Sequence, residues 1–488
     1  MKANLMFRDR DFDIKGSLCF GSGSLMDDLG LKRVISGMAA GDEGIKEACR
    51  AALFCPLQTV EEIRYRQENL SDAVKNKDAV RQLYEITAEA EKKRRDSWHW
   101  LSARYLSSTF NSAVELMKIY MDMLMKLRLI ADGSLSCFKS AGFRSLLTMF
   151  RRELDDDYFA EARAHLNDLK DGTGTLISAV HGSYLQGGGY VLRRKIRKGF
   201  LRRWSFAPSF TIASRDDAGA ADLSNRRARA INEVTNALAQ AAEHLEGFFT
   251  MLHGELAFYI GCINLAERLN ALNLPTCIPE LTGADGMKRA WCGLYDISLA
   301  LTKNTAVVGN DLKTEGTRVY IVTGANQGGK TTFLRSIGQA QLMAQCGMPV
   351  GAADFFAPIR RGVFSHFKRE EDAEMKSGKL DEELARMSEI ADHLKGGSMM
   401  LFNESFAATN EREGSALCCQ ITRALLENAV EVFTVTHLYA YAADFSGDEQ
   451  TRFLRAERPD SGERTFKIVT GEPAQTAFGE DLYTEIFG

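Results

Sequence analysis

The run Gly324-Ala325-Asn326-Gln327-Gly328-Gly329-Lys330-Thr331 constrains this chain more than any other stretch of it. It has the spacing G-x-x-x-x-G-K-T, follows an apolar run (Val319-Tyr320-Ile321-Val322) and opens a helix-forming stretch from Thr331 to Gln345. Glycines at those positions let the backbone curl until successive N–H groups point at phosphate oxygens, with the positive end of the helix behind them. Such a loop needs a buried strand on one side and a helix on the other, which implies a parallel α/β layer. Two more apolar runs, Met399-Met400-Leu401-Phe402 and Val432-Phe433-Thr434-Val435, are candidate neighbours in that sheet. From Pro279 onward short apolar runs alternate with helical segments, so an α/β P-loop domain is expected over 281–488, with its boundary near 279–295.

The chemistry follows from the residue types. Gly324, Ala325, Asn326, Gln327, Gly328, Gly329, Lys330, Thr331 and Thr332 would cradle the phosphates of ATP. Lys330 would reach the β- and γ-phosphates, and the Thr331 hydroxyl would ligate Mg²⁺. The second apolar run ends in Asn403-Glu404. In P-loop ATPases an acid at that strand end holds Mg²⁺ through water, and the next Glu polarises the attacking water. Glu404 fits the second role. Asn403 can accept a hydrogen bond from a Mg²⁺-bound water but brings no negative charge. The third run leads into Thr436-His437, where an imidazole could sense the γ-phosphate.

The N-terminal half has a different texture. Only eight prolines occur, with none between Pro56 and Pro208 or between Pro208 and Pro275. An interior proline breaks a helix, so these gaps permit long ones. Helices are expected over about 78–130 and 221–273, the second with Ile231, Val234, Leu238, Ala241 and Leu245 at steps of three or four. Between them Thr175–Val180 and Gly189–Leu192 look like short strands joined through glycine-rich turns. Arg193, Arg194, Lys195, Arg197, Lys198, Arg202 and Arg203 then place seven cations within eleven positions of a chain whose net charge is −4. Two readings stand for that run: a face that neutralises DNA phosphates, or a solvated surface partly paired with the acidic stretch from Glu153 to Asp157.

Composition sets outer bounds. A chain of 488 residues with 45% apolar and 26% charged residues has room for two to four globular domains. Ten scattered cysteines without a CxxC pair fit buried thiols in a reducing compartment. Charges in Met1–Arg10 occupy the place of a signal peptide's apolar core, and no run of 18 apolar residues occurs. A cytoplasmic protein that does not span a membrane is the expectation.

Taken together the motifs resemble those of the MutS family. Thr323–Thr332 resembles the family's ATPase loop, and Val308-Gly309-Asn310-Asp311-Leu312 resembles the segment upstream of it that contacts the nucleotide base. Leu401–Thr409 is similar to the family's DE-x-x-x-x-T strand and loop, and Val435-Thr436-His437-Leu438 to its ATH segment. Cys55-Pro56-Leu57 with Glu62–Glu68 is similar to the start of the family's lever region. The likeness is specific over about 305–445 and looser, in consistent order, over 50–275.

The resemblance implies a leader (1–50), a helical lever (51–135 and 221–280), a clamp-like insert (136–220) carrying the basic run, and an ABC-type ATPase domain (281–488). It also implies a homodimer formed through the ATPase domains, each site completed by the partner, and DNA as the macromolecular ligand. Departures qualify it. The leader, about 50 residues without a Phe-x-Glu motif, is not expected to hold mismatch-reading and connector domains, and no nuclease domain is expected after His437. Ser377-Gly378-Lys379-Leu380-Asp381-Glu382-Glu383 stands where the family's trans-acting signature falls, which makes Ser377 and Lys379 candidates for touching the partner's γ-phosphate. The expected function is an ATP-hydrolysing DNA clamp or sensor that does not read mismatches directly. The alternative is a nucleotide-switched, non-hydrolysing scaffold. A P-loop kinase would want a second substrate pocket and a lid, for which the sequence carries no signature.

Overall fold

A computed structural model describes the chain apart from residues 102–105, 171–174, 182–186, 195–212, 214, 326, 370–377, 458–463 and 474–488. The protein is multidomain, helical in its N-terminal part and mixed α/β in its C-terminal part. Its helices begin with α1 (Ser22–Asp28), α2 (Leu31–Ala39), α3 (Glu43–Leu53) and α4 (Val60–Lys75). Then come α5 (Lys77–Leu101), α6 (Leu106–Ser134), α7 (Ala141–Glu153), α8 (Asp156–Lys170), the strands β1 (Thr175–His181) and β2 (Gly187–Arg194), and α9 (Asp217–Ala271). The C-terminal part runs β3 (Glu280–Thr282), β4 (Lys288–Leu294), α10 (Ile297–Lys303), β5 (Asn310–Glu315), β6 (Val319–Thr323) and α11 (Lys330–Gln345). It continues through β7 (Asp354–Pro358), β8 (Val363–Phe367), α12 (Lys379–His393), β9 (Met399–Asn403), α13 (Glu411–Glu427), β10 (Glu431–Val435), α14 (Tyr439–Asp444), β11 (Thr451–Ala456) and β12 (Ile468–Thr470).

Contacts divide the chain into two compact units. One comprises 1–3, 78–139 and 143–253, the other 4–77, 140–142 and 254–488.

The first unit is helical and is cored by aromatic rings. Tyr120 stacks on Phe249 at 5.4 Å, and Phe150 meets Phe248 edge-on at 6.1 Å. The proline-free stretches form the long helices the sequence predicts, and β1 pairs antiparallel with β2. Packing along α9 is uneven: Leu245 is buried, Leu238 and Ala241 are half-buried, and Val234 stays 42% exposed. The segment Asn232–Ala271 is long and apolar enough, by length and composition, to cross a membrane, and 78% of its most apolar window is buried against protein.

The second unit contains two sheets. The larger has strand order β12-β11-β6-β10-β9-β8. Its strands are parallel except β12, which runs antiparallel to β11. β6, β8 and β10 are buried at every position, so β6 and most of β10 read as near-continuous apolar runs, while β8 buries Ser365 and His366 with hydrogen-bond partners. The smaller sheet, β3-β7-β4-β5, is mostly antiparallel. Helix α4 is fixed in this unit through Arg66, 1% exposed, whose guanidinium donates to the carbonyls of Met6 and Cys346.

Candidate nucleotide site

The site is built where β6 ends. Gly324 (φ 118°) and Gly329 (φ 89°) lie in the left-handed region that glycine enters at least cost, and Gln327 between them sits at φ 62°. Close approach also excludes side chains here. A Cβ on Gly324 would stand 3.0 Å from the Ala456 amide nitrogen, and one on Gly328 would stand 2.7 Å from the Ala456 Cβ. Helix α11 starts at Lys330, so its first N–H groups face the loop.

Lys330 is only 5% exposed, and its Nζ donates to the carbonyls of Gly324 (2.7 Å) and Ala325 (2.9 Å). Burial lowers its pKa, while the negative charge of Glu404 works against that shift. The Thr331 hydroxyl donates to Oδ1 of Asn403 at 3.0 Å, joining residues 72 positions apart. Strand register makes that contact possible: Asn403 ends β9 level with Val435 of β10 and Phe367 of β8. The next residue, Glu404, leaves the strand at φ 51°, its N–H held by the Val435 carbonyl at 2.9 Å. His437 follows β10 with its ring exposed, after Thr436, whose N–H donates to the Val322 carbonyl at 3.1 Å.

The structure therefore brings Gly324, Ala325, Gln327, Gly328, Gly329, Lys330, Thr331, Thr332, Asn403, Glu404 and His437 to one edge of the larger sheet, at the carboxyl ends of its parallel strands. Ligands of open α/β sheets characteristically bind at that edge. Asn326 lies outside the described residues. Asn310 opens β5 and is 5% exposed, and its Oδ1 accepts the Ile468 N–H at 2.7 Å, so its side chain fastens β12. Lys379 opens α12, and Ser377 lies outside the described residues. Arg193 and Arg194 end β2, opposite Leu176 and Thr175. Lys195, Arg197, Lys198, Arg202 and Arg203 fall outside the described residues.

Sequence reasoning missed the segment that flanks the loop on its other side. Arg464 donates to the Gln327 side chain, and a Cβ on Gly329 would stand 3.4 Å from the Phe466 carbonyl. Phe466 is 45% exposed with φ 55°, and Lys467 donates to the Gly309 carbonyl. No short motif marks this segment; an aromatic residue among the charges of Arg464-Thr465-Phe466-Lys467 was the available signal.

A divalent cation fits the donor set. Thr331 and Asn403 supply two adjacent neutral oxygens with the Glu404 carboxylate on the following residue, which suits a hard ion that takes its remaining ligands from phosphate and water. No group of three or more His, Cys, Asp or Glu able to hold a metal exists among the described residues.

Comparison with known proteins gives the class. Residues 58–272 match the MutS2 N-terminal domain, and residues 320–470 match MutS domain V. The chain belongs to the MutS family. Among individual relatives it is similar to the human "MutS protein homolog 4", 28% identical over 159 residues, 33% of this chain and 17% of that protein. It is also similar to "Endonuclease MutS2" of Thermus thermophilus, 32% identical over 168 residues, 33% of this chain and 22% of the relative. The corresponding protein of Lactococcus lactis is 27% identical over 264 residues, 52% of this chain and 33% of the relative. The matched part thus spans at most a third of these relatives' length.

Proposed function

We propose that the C-terminal unit is a P-loop ATPase of the ABC type and that the chain is an ATP-dependent DNA-binding protein serving DNA repair or recombination. The observation that carries the reading is the 3.0 Å contact between Thr331 and Asn403, with Lys330 and Glu404 beside it at one sheet edge. On this reading the loop N–H groups and Lys330 hold the triphosphate, and Thr332 extends the cradle into the first turn of α11. Thr331 and Asn403 hold Mg²⁺, which neutralises charge on the phosphates when bound. Glu404 accepts a proton from the attacking water, and His437 senses the terminal phosphate.

The basic run from Arg193 to Arg203 is the DNA-facing segment on this reading. Two copies associate through their ATPase domains, with Lys379 reaching the partner's site. DNA and nucleotide then alter each other's affinity by the same factor. A second reading, a nucleotide-switched scaffold without turnover, is favoured by one observation: the residue beside Thr331 is a neutral amide.

Steady-state ATP hydrolysis by wild type and Glu404→Gln, each with and without duplex and branched DNA, separates the two. Turnover that requires Glu404 and responds to DNA is expected. ATP binding without turnover in wild type would overturn hydrolysis in favour of the scaffold.

A further inference from the structure

Three residues, Glu404-Ser405-Phe406, form the strained exit from β9. Glu404 (φ 51°) and Phe406 (φ 57°) both adopt left-handed backbone, which is unfavourable for a non-glycine residue and persists only where the surroundings impose it. Ser405, between them, is 5% exposed.

Two of these residues meet His366, a fully buried residue of β8. The Ser405 hydroxyl donates to the His366 carbonyl at 2.6 Å, and the same oxygen lies 2.8 Å from His366 Nδ1. A hydroxyl has one hydrogen, so with it committed to the carbonyl, Nδ1 carries a proton and donates to Ser405. That leaves Nε2 as an acceptor, and Arg386 Nη2 stands 3.3 Å from it while also donating to the Phe367 carbonyl at 3.1 Å. Nε2 lies 3.1 Å from the Glu383 carbonyl as well, a contact a second ring proton would satisfy. Burial and the charge of Arg386 oppose that imidazolium and push the pKa of His366 down to about 4. The Phe406 ring stacks on the imidazole at 5.1 Å and 15°. One side chain thus grips two successive residues of the exit, by hydrogen bond and by stacking.

We propose that His366 is a positioning residue for hydrolysis: by holding Ser405 and Phe406 it fixes the turn that places the Glu404 carboxylate at the sheet edge. Arg386 orients the imidazole from behind. The inference rests on the hydrolytic reading above and adds a residue outside the phosphate-binding and metal-binding groups.

The test measures kcat, KM and equilibrium ATP binding for wild type, His366→Ala, His366→Asn and Ser405→Ala, and repeats the first and last substitutions in a Glu404→Gln background. His366→Ala and Ser405→Ala should lower kcat about 10- to 100-fold, as misplacement of a reacting group does, with ATP affinity unchanged. His366→Asn, whose amide N–H can still reach Ser405, should retain more activity than His366→Ala. In the Glu404→Gln background neither change should reduce the residual rate further. Should His366→Ala fold poorly, Ser405→Ala reads the same contact from the other side. Unchanged kcat in the folded variants, or losses that multiply with Glu404→Gln, would overturn the proposal. Wild type that binds ATP without turning it over would remove the hydrolytic reading along with it. Glu404-dependent turnover indifferent to these variants would remove this inference alone.

Discussion

Strand β10 begins and ends in opposite chemical surroundings. At its start Glu431 is buried, with both carboxylate oxygens 2.6 Å from the Arg289 guanidinium and one of them 2.9 Å from Arg360 Nε. Burial alone would raise the pKa of Glu431, but the two guanidiniums outweigh it and hold the carboxyl below its usual range. Gln341 takes a further hydrogen bond from Arg289 at 3.0 Å, and Arg360 reaches the Ala284 carbonyl. These contacts tie the smaller sheet to the larger one. At the other end, six residues on, the groups are neutral or half-exposed: Asn403 beside Thr331, Glu404 on strained backbone, His437 open to solvent. One end meets its charge internally and locks the fold. The other presents polar groups at the surface and accepts strain, the usual arrangement where a site departs from local folding rules.

The largest effect should come from breaking the locked end. Glu431→Ala leaves two buried guanidiniums without their carboxylate and should cost about 3–5 kcal/mol, read as a shifted urea midpoint at unchanged slope. At the open end the converse should hold. Glu404→Gln should leave the urea midpoint near wild type while lowering kcat by about 10²-fold or more.

A third carboxyl sharpens the contrast. Glu255 is fully buried, yet its hydrogen bonds come from the N–H groups of Leu5 (2.6 Å) and Met6 (3.2 Å) rather than from cations, and burial raises its pKa to about 7. A carboxyl raised on folding contributes stability below its unfolded value, near 4.5, and loses it as pH climbs through about 7. Unfolding followed from pH 4.5 to 8 should show a decline of roughly 1–3 kcal/mol from this group, which Glu255→Gln should flatten. A slope unaltered by that change would mean the carboxyl does not titrate there. The smallest effect concerns the metal. Asn403→Asp places a charge beside Thr331 and should reduce the Mg²⁺ concentration needed for half-maximal ATP binding, with little change in stability.

How much of this could be read in the sequence follows the range of the interactions. β6, β9 and β10 announce themselves because strands buried on both faces must be apolar throughout, and the glycine loop because its backbone tolerates few alternatives. The proline-free stretches mark α5, α6 and α9 for a similarly local reason. The smaller sheet is not legible: in β4 the charged Arg289 is buried and the apolar Cys292 is exposed, so burial does not follow residue type, and the partner strand β7 lies beyond α11. Arg66 reads as a surface cation, yet its bonds to Met6 and Cys346 span 60 and 280 positions. His366 is one of two adjacent polar residues in β8, and only the register of β8 against β9 reveals that it meets Ser405. Asn310 stands in a segment singled out by the family resemblance, whereas its bond to Ile468 is long-range.

Equilibrium binding of ATP with Mg²⁺ to wild type and to Lys330→Ala, beside a melting curve for each, bears most directly on the loop as a nucleotide site. Saturable binding by wild type, weakened about 100-fold or more in a variant that melts normally, is the expected result, since a charge-assisted contact to phosphate would be lost. Equal binding by the two proteins would contradict the assignment of the glycine loop and Lys330 as the phosphate cradle.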